Sequence, residues 1–244
     1  MKKLLFIINP MAGRQQAQTD LYKMVKIFAD HDYEVTVYPT RARLDCTRKV
    51  LEDAGRFDLV VCCGGDGTLN EMVSGMMQRQ DRRPMGYIPL GSTNDLAVSL
   101  RLPTRVEEAA LRAVTGNEFH MDVGTLNDRY FNYIAAFGAF TETSYATPQE
   151  IKNALGHLAY ILEGVKSLGK ILPIHVKITA DDEQFEEDYL FGAVTNTISL
   201  GGVLKLDPEK VLLDDGMYEL LLVKNPTNAL EAVSYTHLTL PTIR

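Results

Sequence analysis

Cysteine is scarce in this sequence, and its three residues, Cys46, Cys62 and Cys63, are too few for a disulfide framework. The last two are adjacent on an apolar segment, which indicates packing roles in a reducing compartment. The five histidines show no spacing typical of a zinc site. The sequence therefore predicts neither a disulfide-stabilised fold nor a zinc centre.

An excess of positive charge and long apolar runs are also lacking. The formal net charge of -7 disfavours a general nucleic-acid binder, which needs a basic surface. No segment approaches the roughly 20 apolar residues of a transmembrane helix. The short apolar run after Met1 is interrupted by Asn9 and Pro10, which favours a buried strand over a signal peptide. We therefore expect a cytoplasmic protein without a transmembrane segment and with no nucleic-acid partner.

The most informative stretch is the glycine-rich run from Gly64 to Glu71, which lies between an apolar segment, Leu59 to Cys63, and a helical pattern. Its glycines allow backbone N–H groups to approach an anion such as a phosphate. Asp66 within the run would repel a bare phosphate, so a divalent cation that bridges Asp66 to a nucleotide explains its presence. An ordinary strand-to-helix turn is the alternative.

A second loop repeats this design after the predicted strand from Met85 to Leu90. Its sequence, Gly91-Ser92-Thr93-Asn94-Asp95, combines a glycine turn with polar side chains and a carboxylate. Capping of the next helix by Asn94 or Asp95 explains part of this pattern. Because the carboxyl ends of neighbouring parallel strands meet at one edge of a sheet, we expect Asp66 and Asp95 to form a pair around metal and phosphates.

Two further segments reach the same predicted edge. The first strand ends at Asn9-Pro10, and Arg14 follows in a turn where its guanidinium suits a phosphate, although a solvated arginine is the alternative. Thr40 follows the strand from Tyr33 to Tyr38 and is interpreted either as a nucleotide contact or as a helix cap.

The order of the patterns predicts the fold class. Strands and helices alternate up to Gly116, which is typical of an α/β domain with a doubly wound parallel sheet. From Phe119 onward the patterns favour β-hairpins, with one helical insertion at about 148–168. The first hairpin is predicted to pair His120 to Thr125 with Tyr130 to Phe137 across a turn at Asn127-Asp128. We predict a nucleotide-binding domain at 1–122 and a mainly antiparallel domain at 123–232. In the latter, the turn at Asp214-Asp215-Gly216 is either an Asp-Gly turn or a magnesium or calcium site.

Taken together, these motifs resemble the bacterial diacylglycerol kinase family of soluble lipid kinases. The matching points are Asn9-Pro10 with Gly13, the run from Gly64 to Glu71, the loop from Gly91 to Asp95, and Asp215-Gly216. They occur in the order of the family and span most of the chain. The Gly-Gly-Asp-Gly-Thr run alone is shared with NAD kinases, so an NAD kinase-like enzyme remains an alternative.

The resemblance implies an NAD kinase/diacylglycerol kinase-like α/β domain, then a β-sandwich-like domain, with the acceptor lipid entering between them. It implies ATP and Mg²⁺ as cofactors, with Asp66 and Asp95 in the catalytic metal and water network. A structural magnesium would be held by the carbonyls of Leu212 and Met217 and by the carboxylate of Asp215. The residues implied in ATP binding are Asn9, Arg14, Thr40, Gly64, Gly65, Asp66, Gly67, Thr68, Leu69, Asn70 and Ser92.

The sequence departs from the family pattern in two respects. Thr93 stands where alanine or glycine is frequent. The catalytic glutamate of the family lies in an Asp-Gly-Glu motif, and no such motif follows Val223 here. Residues 233–244 resemble translated adaptor sequence, so we expect a foreign tail on a shortened chain. An unfinished sheet edge would promote association, which makes a homodimer a further expectation.

The resulting hypothesis is transfer of the ATP γ-phosphoryl group to a lipid hydroxyl, most simply from diacylglycerol to phosphatidic acid. The lipid substrate would be met at the inner membrane surface. This chain is expected to be weakly active or inactive without the general base. A regulatory protein that binds nucleotide without catalysis is the alternative from another class.

Overall fold

A four-stranded parallel sheet forms the centre of the first half of the protein, with strand order β2-β1-β3-β4. Strand β3 is buried along its whole length, which explains its unbroken apolar sequence. The predicted parallel sheet is therefore confirmed. The bounds of the strands are Lys2–Ile8 (β1), Tyr33–Pro39 (β2), Leu59–Gly64 (β3) and Met85–Pro89 (β4).

The structure is a computed structural model that describes residues 1–138, 172–180, 183–200, 204–209, 211–224 and 242–243. The chain divides into two compact units, Met1–Asn132 and Tyr133–Arg244. The predicted domain boundary at 122 stays a prediction. The helical insertion expected at about 148–168 lies outside the described residues, as does the expected foreign tail except for 242–243.

Helices cover both faces of the parallel sheet. Their bounds are Gln16–Thr19 (α1), Leu21–Asp30 (α2), Asp45–Asp53 (α3), Asp66–Met77 (α4), Asp95–Ser99 (α5) and Val106–Thr115 (α6). On one face, α2 and α6 pack against Leu4 and Phe6, and the ring of Phe28 meets that of Phe6 edge to face at 5.2 Å. On the other face, α4 packs against β3 and α3 packs against α4. This arrangement is the predicted doubly wound sheet.

The first unit ends in a short hairpin formed by Gly124–Leu126 (β5) and Arg129–Phe131 (β6). It turns at the predicted Asn127-Asp128, where Asn127 adopts a left-handed conformation with φ 53°. The single strand expected from Tyr130 to Phe137 is wrong, because it is divided in two. Ile134–Gly138 (β7) begins a new strand that pairs with a different partner, β9 (Glu183–Thr195).

The second unit contains a five-stranded antiparallel sheet, as the hairpin patterns predict. Its order is β13-β12-β9-β7, with β8 paired on β9. Ala193 and Leu221 pack on one face of the sheet with Leu200, Leu206 and Val211. The remaining strands are Ile174–Ala180 (β8), Ser199–Leu200 (β10), Leu204–Lys205 (β11), Tyr218–Lys224 (β12) and Thr242–Ile243 (β13).

Within the described ranges, none of the helices has both the length and the apolar character needed to cross a membrane.

Candidate active site

The glycine-rich run forms the turn between β3 and α4. Gly65 is extended and precedes the helix, and Asp66 lies in the first helical turn. Packing explains one of the glycines, since a Cβ on Gly64 would lie 2.4 Å from Oγ1 of Thr68. Packing does not explain Gly67, because a Cβ there would meet nothing within 4 Å. Because Gly67 has no side chain, an anion can approach the backbone closely at the exposed start of α4.

The second loop, from Gly91 to Asp95, lies directly against the first. The N–H of Leu90 donates to the carbonyl of Gly64 at 2.7 Å. A Cβ on Gly91 would come within 2.7 Å of the Cα of Gly65, so the two turns touch through their backbones. The edge of the parallel sheet thus brings the two polar loops together.

Asn94 holds the second loop in shape. It adopts a left-handed backbone with φ 52°, and its Oδ1 accepts the N–H of Gly91 at 2.7 Å and the hydroxyl of Tyr87 at 3.2 Å. Its Nδ2 donates to the carbonyl of Gly91 at 3.0 Å. The capping interpretation of Asn94 is wrong in one respect. The residue occupies the position before α5, but its side chain bonds back to Gly91 and makes no cap.

Asp66 and Asp95 interact electrostatically at this edge. Oδ2 of Asp66 accepts the hydroxyl of Thr93 at 3.1 Å, whereas Oδ1 is buried without a hydrogen-bond partner in the described part of the chain. Asp95 is only 2% exposed. Burial raises the pKa of Asp66, and the charge of Asp95 adds to this effect, while the Thr93 hydroxyl and the backbone N–H groups of Asp95 and Asn94 oppose it. A pair of this kind favours a cation beside it.

The end of β1 joins the glycine-rich run through Asn9. Its Nδ2 donates to Oγ1 of Thr68 at 3.4 Å, and its Oδ1 accepts the N–H of Met11 at 3.0 Å. Arg14 lies in the following 3₁₀-helix, and its side chain is outside what the structure describes. A cavity of about 260 Å³ adjoins these turns, with Gly13 and Thr93 in its lining.

Thr40 lies past the end of β2, next to β1. Its N–H and its hydroxyl both donate to the carbonyl of Ile8, at 2.9 and 3.4 Å. The helix-cap interpretation of Thr40 is wrong, because Leu44 is the residue that precedes α3. The nucleotide contact at Thr40 stays a prediction.

The remaining predicted contacts differ in their exposure. Ser92 is exposed and Asn70 is half-buried. Leu69 is only 5% exposed, so its side chain packs in the core and a ligand could meet only its backbone.

Glu71 has a role that the sequence analysis missed. Its carboxylate accepts the backbone N–H groups of Leu44 at 2.8 Å and Cys46 at 3.3 Å, so it caps the start of α3 from α4. Its carbonyl also accepts the hydroxyl of Thr47 at 2.8 Å. No local signal reveals this contact, because 27 residues separate Glu71 from Leu44.

The turn proposed for a second metal lies in the other unit. Gly216 has φ +74°, and Oδ1 of Asp215 accepts the N–H of Met217 at 3.0 Å, so an Asp-Gly turn is present. Leu212 is 55% exposed. Nearby, Glu219 is buried with Oε2 lacking a partner among the described residues, and burial raises its pKa to about 7, with a smaller contribution from Asp215. The structure thus shows the turn, and a metal ion held by it stays a prediction.

No group of three His, Cys, Asp or Glu residues that could hold a metal occurs within the described ranges. A cation at the edge of the parallel sheet would therefore need other ligands, such as phosphate oxygens, carbonyls or water.

Comparison with known proteins identifies the family. Residues 3–126 match the model of the diacylglycerol kinase catalytic domain. A diacylglycerol kinase of Bacillus subtilis strain 168 is 37% identical over 226 residues, which cover 92% of this chain and 74% of that protein. A diacylglycerol kinase from Staphylococcus epidermidis is 34% identical over 226 residues, which cover 91% of this chain and 71% of that protein.

A crystal structure of a diacylglycerol kinase from Bacillus anthracis strain Sterne superposes with a TM-score of 0.75 at 28% identity. The match covers 98% of this chain and 79% of that one. The fold and the resemblance that the motifs indicated are both confirmed. By sequence and by fold, this chain belongs to the bacterial diacylglycerol kinase family and is thereby a phosphotransferase.

Proposed function

We propose that this chain binds Mg²⁺ and ATP at the edge of its parallel sheet and transfers the γ-phosphoryl group to the hydroxyl of diacylglycerol, forming phosphatidic acid. The carrying observation is the Asp66 carboxylate, which lies between two glycine turns with one oxygen unpartnered and a like charge beside it. Family membership adds support, since diacylglycerol kinases use ATP.

The phosphates of ATP would lie at the start of α4. The helix dipole and free N–H groups there favour negative charge, and Gly67 offers an approach without a side chain. Ser92, Thr40 and Asn9 flank this position at the ends of neighbouring strands. The cavity next to Gly13 and Gly91 gives space for the rest of the nucleotide.

Mg²⁺ would be held near Asp66 and Asp95, and it would neutralise charge that develops on the transferred phosphoryl group. The residues fit such an ion. Two carboxylates beside phosphate and water ligands are typical of magnesium in kinase sites. A structural magnesium held by Leu212, Asp215 and Met217 is a separate part of the proposal.

During transfer, a bond forms between the lipid oxygen and the γ-phosphorus, and the bond to the β-γ bridging oxygen breaks, releasing ADP. The residues of the site orient the donor and exclude alternative positions for it, which is most of what this reaction needs. The proton of the lipid hydroxyl requires an acceptor.

The acceptor is a membrane lipid, so the proposed place of action is the cytoplasmic side of the membrane surface. Association into a homodimer stays a prediction.

The test is a single-turnover assay, with enzyme in excess over γ-labelled ATP, Mg²⁺, and mixed micelles that contain diacylglycerol. Label in phosphatidic acid above the level of the Asp66→Asn variant would support the proposal. NAD serves as a parallel acceptor, because the Gly-Gly-Asp-Gly-Thr run is shared with NAD kinases. Label in NADP would show that the acceptor of the phosphoryl group is NAD and not a lipid. Binding of ATP without transfer to either acceptor would favour a regulatory protein.

A further inference from the structure

Thr93 makes a side-chain contact between the two loops of the site. In this protein the Thr93 hydroxyl donates to Oδ2 of Asp66 at 3.1 Å and joins the second loop to the first.

The backbone that carries Thr93 is held by contacts that do not involve Asp66. The backbone of its loop is fixed by the two hydrogen bonds between Asn94 and Gly91, at 2.7 and 3.0 Å. It is fixed also by the contact between Gly91 and Gly65. The Cα of Thr93 is therefore held in place, within hydrogen-bond reach of the Asp66 carboxylate for its hydroxyl.

The contact makes the two oxygens of Asp66 unequal. Oδ2 is engaged by Thr93, whereas Oδ1 is buried and makes no hydrogen bond of ordinary geometry among the described residues. The backbone N–H groups of Asn94 and Asp95 lie near this carboxylate and also stabilise its charge. A buried carboxylate oxygen without a partner is unfavourable unless a cation or an ordered water approaches it. Oδ1 is thus the oxygen left for the ion that accompanies ATP.

We propose that Thr93 is a positioning residue that fixes the plane of the Asp66 carboxylate so that Oδ1 serves Mg²⁺ in the complex with ATP. This inference rests on the proposed function, since it assumes that Mg²⁺ and ATP bind together at this edge. It assigns the hydroxyl a role in ion binding and none in chemistry or in holding the loop.

The test measures ATP binding by calorimetry across a series of Mg²⁺ concentrations, and again in EDTA. Thr93→Val keeps the shape of the side chain and removes the donor, and Thr93→Ser keeps the donor. We expect the Mg²⁺ concentration for half-maximal ATP binding to rise about tenfold in Thr93→Val, as loss of a hydrogen bond to a charged group implies. Thr93→Ser should stay close to the wild type. Thr36→Val, an exposed change on β2, is the matched control.

The outcomes separate this inference from the proposed function. Equal Mg²⁺ dependence in Thr93→Val and wild type would overturn the role of Thr93 and leave Mg²⁺ and ATP binding intact. An equal rise of the Mg²⁺ concentration for half-maximal ATP binding in Thr93→Ser and Thr93→Val would also overturn it, because the hydroxyl would not be the cause. If Thr93→Val and the wild type bind ATP equally in EDTA and have the same melting temperature, a merely structural effect of the substitution is excluded. ATP binding by the wild type that ignores Mg²⁺ would overturn both proposals.

Discussion

Gly65 and Gly91 meet backbone to backbone, so that a Cβ on Gly65 would lie 3.1 Å from the Cα of Gly91. The backbones of the two polar loops are therefore in van der Waals contact, with no room for a side chain between them. This contact distinguishes the glycines that packing requires from the glycine that packing leaves unexplained.

Gly91→Ala is expected to damage the fold and the site together. Its Cβ would lie 2.6 Å from Oδ1 of Asn94 and 2.7 Å from the Cα of Gly65. Overpacking of this kind destabilises by about 1–3 kcal/mol. Thermal unfolding should show the loss, and ATP binding should weaken with it. An unaltered melting temperature would mean that the two loops can separate without cost.

Gly67→Ala is expected to separate binding from stability. The position is exposed and lies in α4 with open space around it, so alanine should raise helix stability by about 0.5–1 kcal/mol. ATP affinity should fall, because the new methyl group occupies the approach of the phosphates. Calorimetric titration with ATP, beside a melting curve, measures both effects. Unchanged affinity would show that phosphate does not approach Gly67.

Asp66→Asn is expected to reduce phosphoryl transfer by about 100-fold or more, since a charged group near the transferred phosphoryl is lost. The melting temperature at neutral pH should not fall. The pKa of Asp66 is raised in the folded protein. At a pH above the ordinary pKa of aspartate, ionisation of Asp66 therefore lowers the free energy of unfolding, and asparagine removes this loss. Normal single-turnover rates in the variant would refute a role for Asp66 in metal binding.

Glu219 is expected to make stability decline between about pH 4.5 and 7. The native state holds its proton up to a pKa of about 7, whereas the unfolded chain releases it near 4.5. The unfolded state therefore binds fewer protons in this window, and the free energy of unfolding falls as pH rises.

The matching variant is Glu219→Gln, which should flatten this decline and be more stable than the wild type at pH 8, by up to about 3 kcal/mol. Chemical denaturation in EDTA across the pH range measures the slope while excluding a bound cation. The same change at exposed Glu34 is the control. A slope equal in wild type and Glu219→Gln would contradict the assignment.

The parallel sheet and its two loops could be predicted because their signals are local. Strand β3 is a short apolar run, and the buried residues Leu69, Met72, Val73 and Met76 recur at helical spacing in α4. Glycine marked where the chain turns between the two. Because the carboxyl ends of neighbouring parallel strands meet at one edge of a sheet, the two loops could then be predicted to lie together.

Side-chain contacts between distant segments could not be predicted in this way. Thr93 reaches Asp66, and Glu71 reaches Leu44, each across 27 residues of sequence. Asn94 has the composition of a helix cap, but it bonds to Gly91 because its left-handed backbone turns the side chain back. The division of β6 from β7 follows from a change of pairing partner, which alternation of apolar residues does not encode.

The hydrogen bond between Asn9 and Thr68 spans 59 residues and joins the end of β1 to the first turn of α4, the helix that follows β3. Strand β1 must pair with β3 across a long intervening segment that includes β2, and closing such a loop is entropically slow relative to forming a local helix. We therefore expect the proposed nucleotide site to form late in the folding of this chain. In refolding experiments, helical circular dichroism should recover before the capacity to bind ATP does.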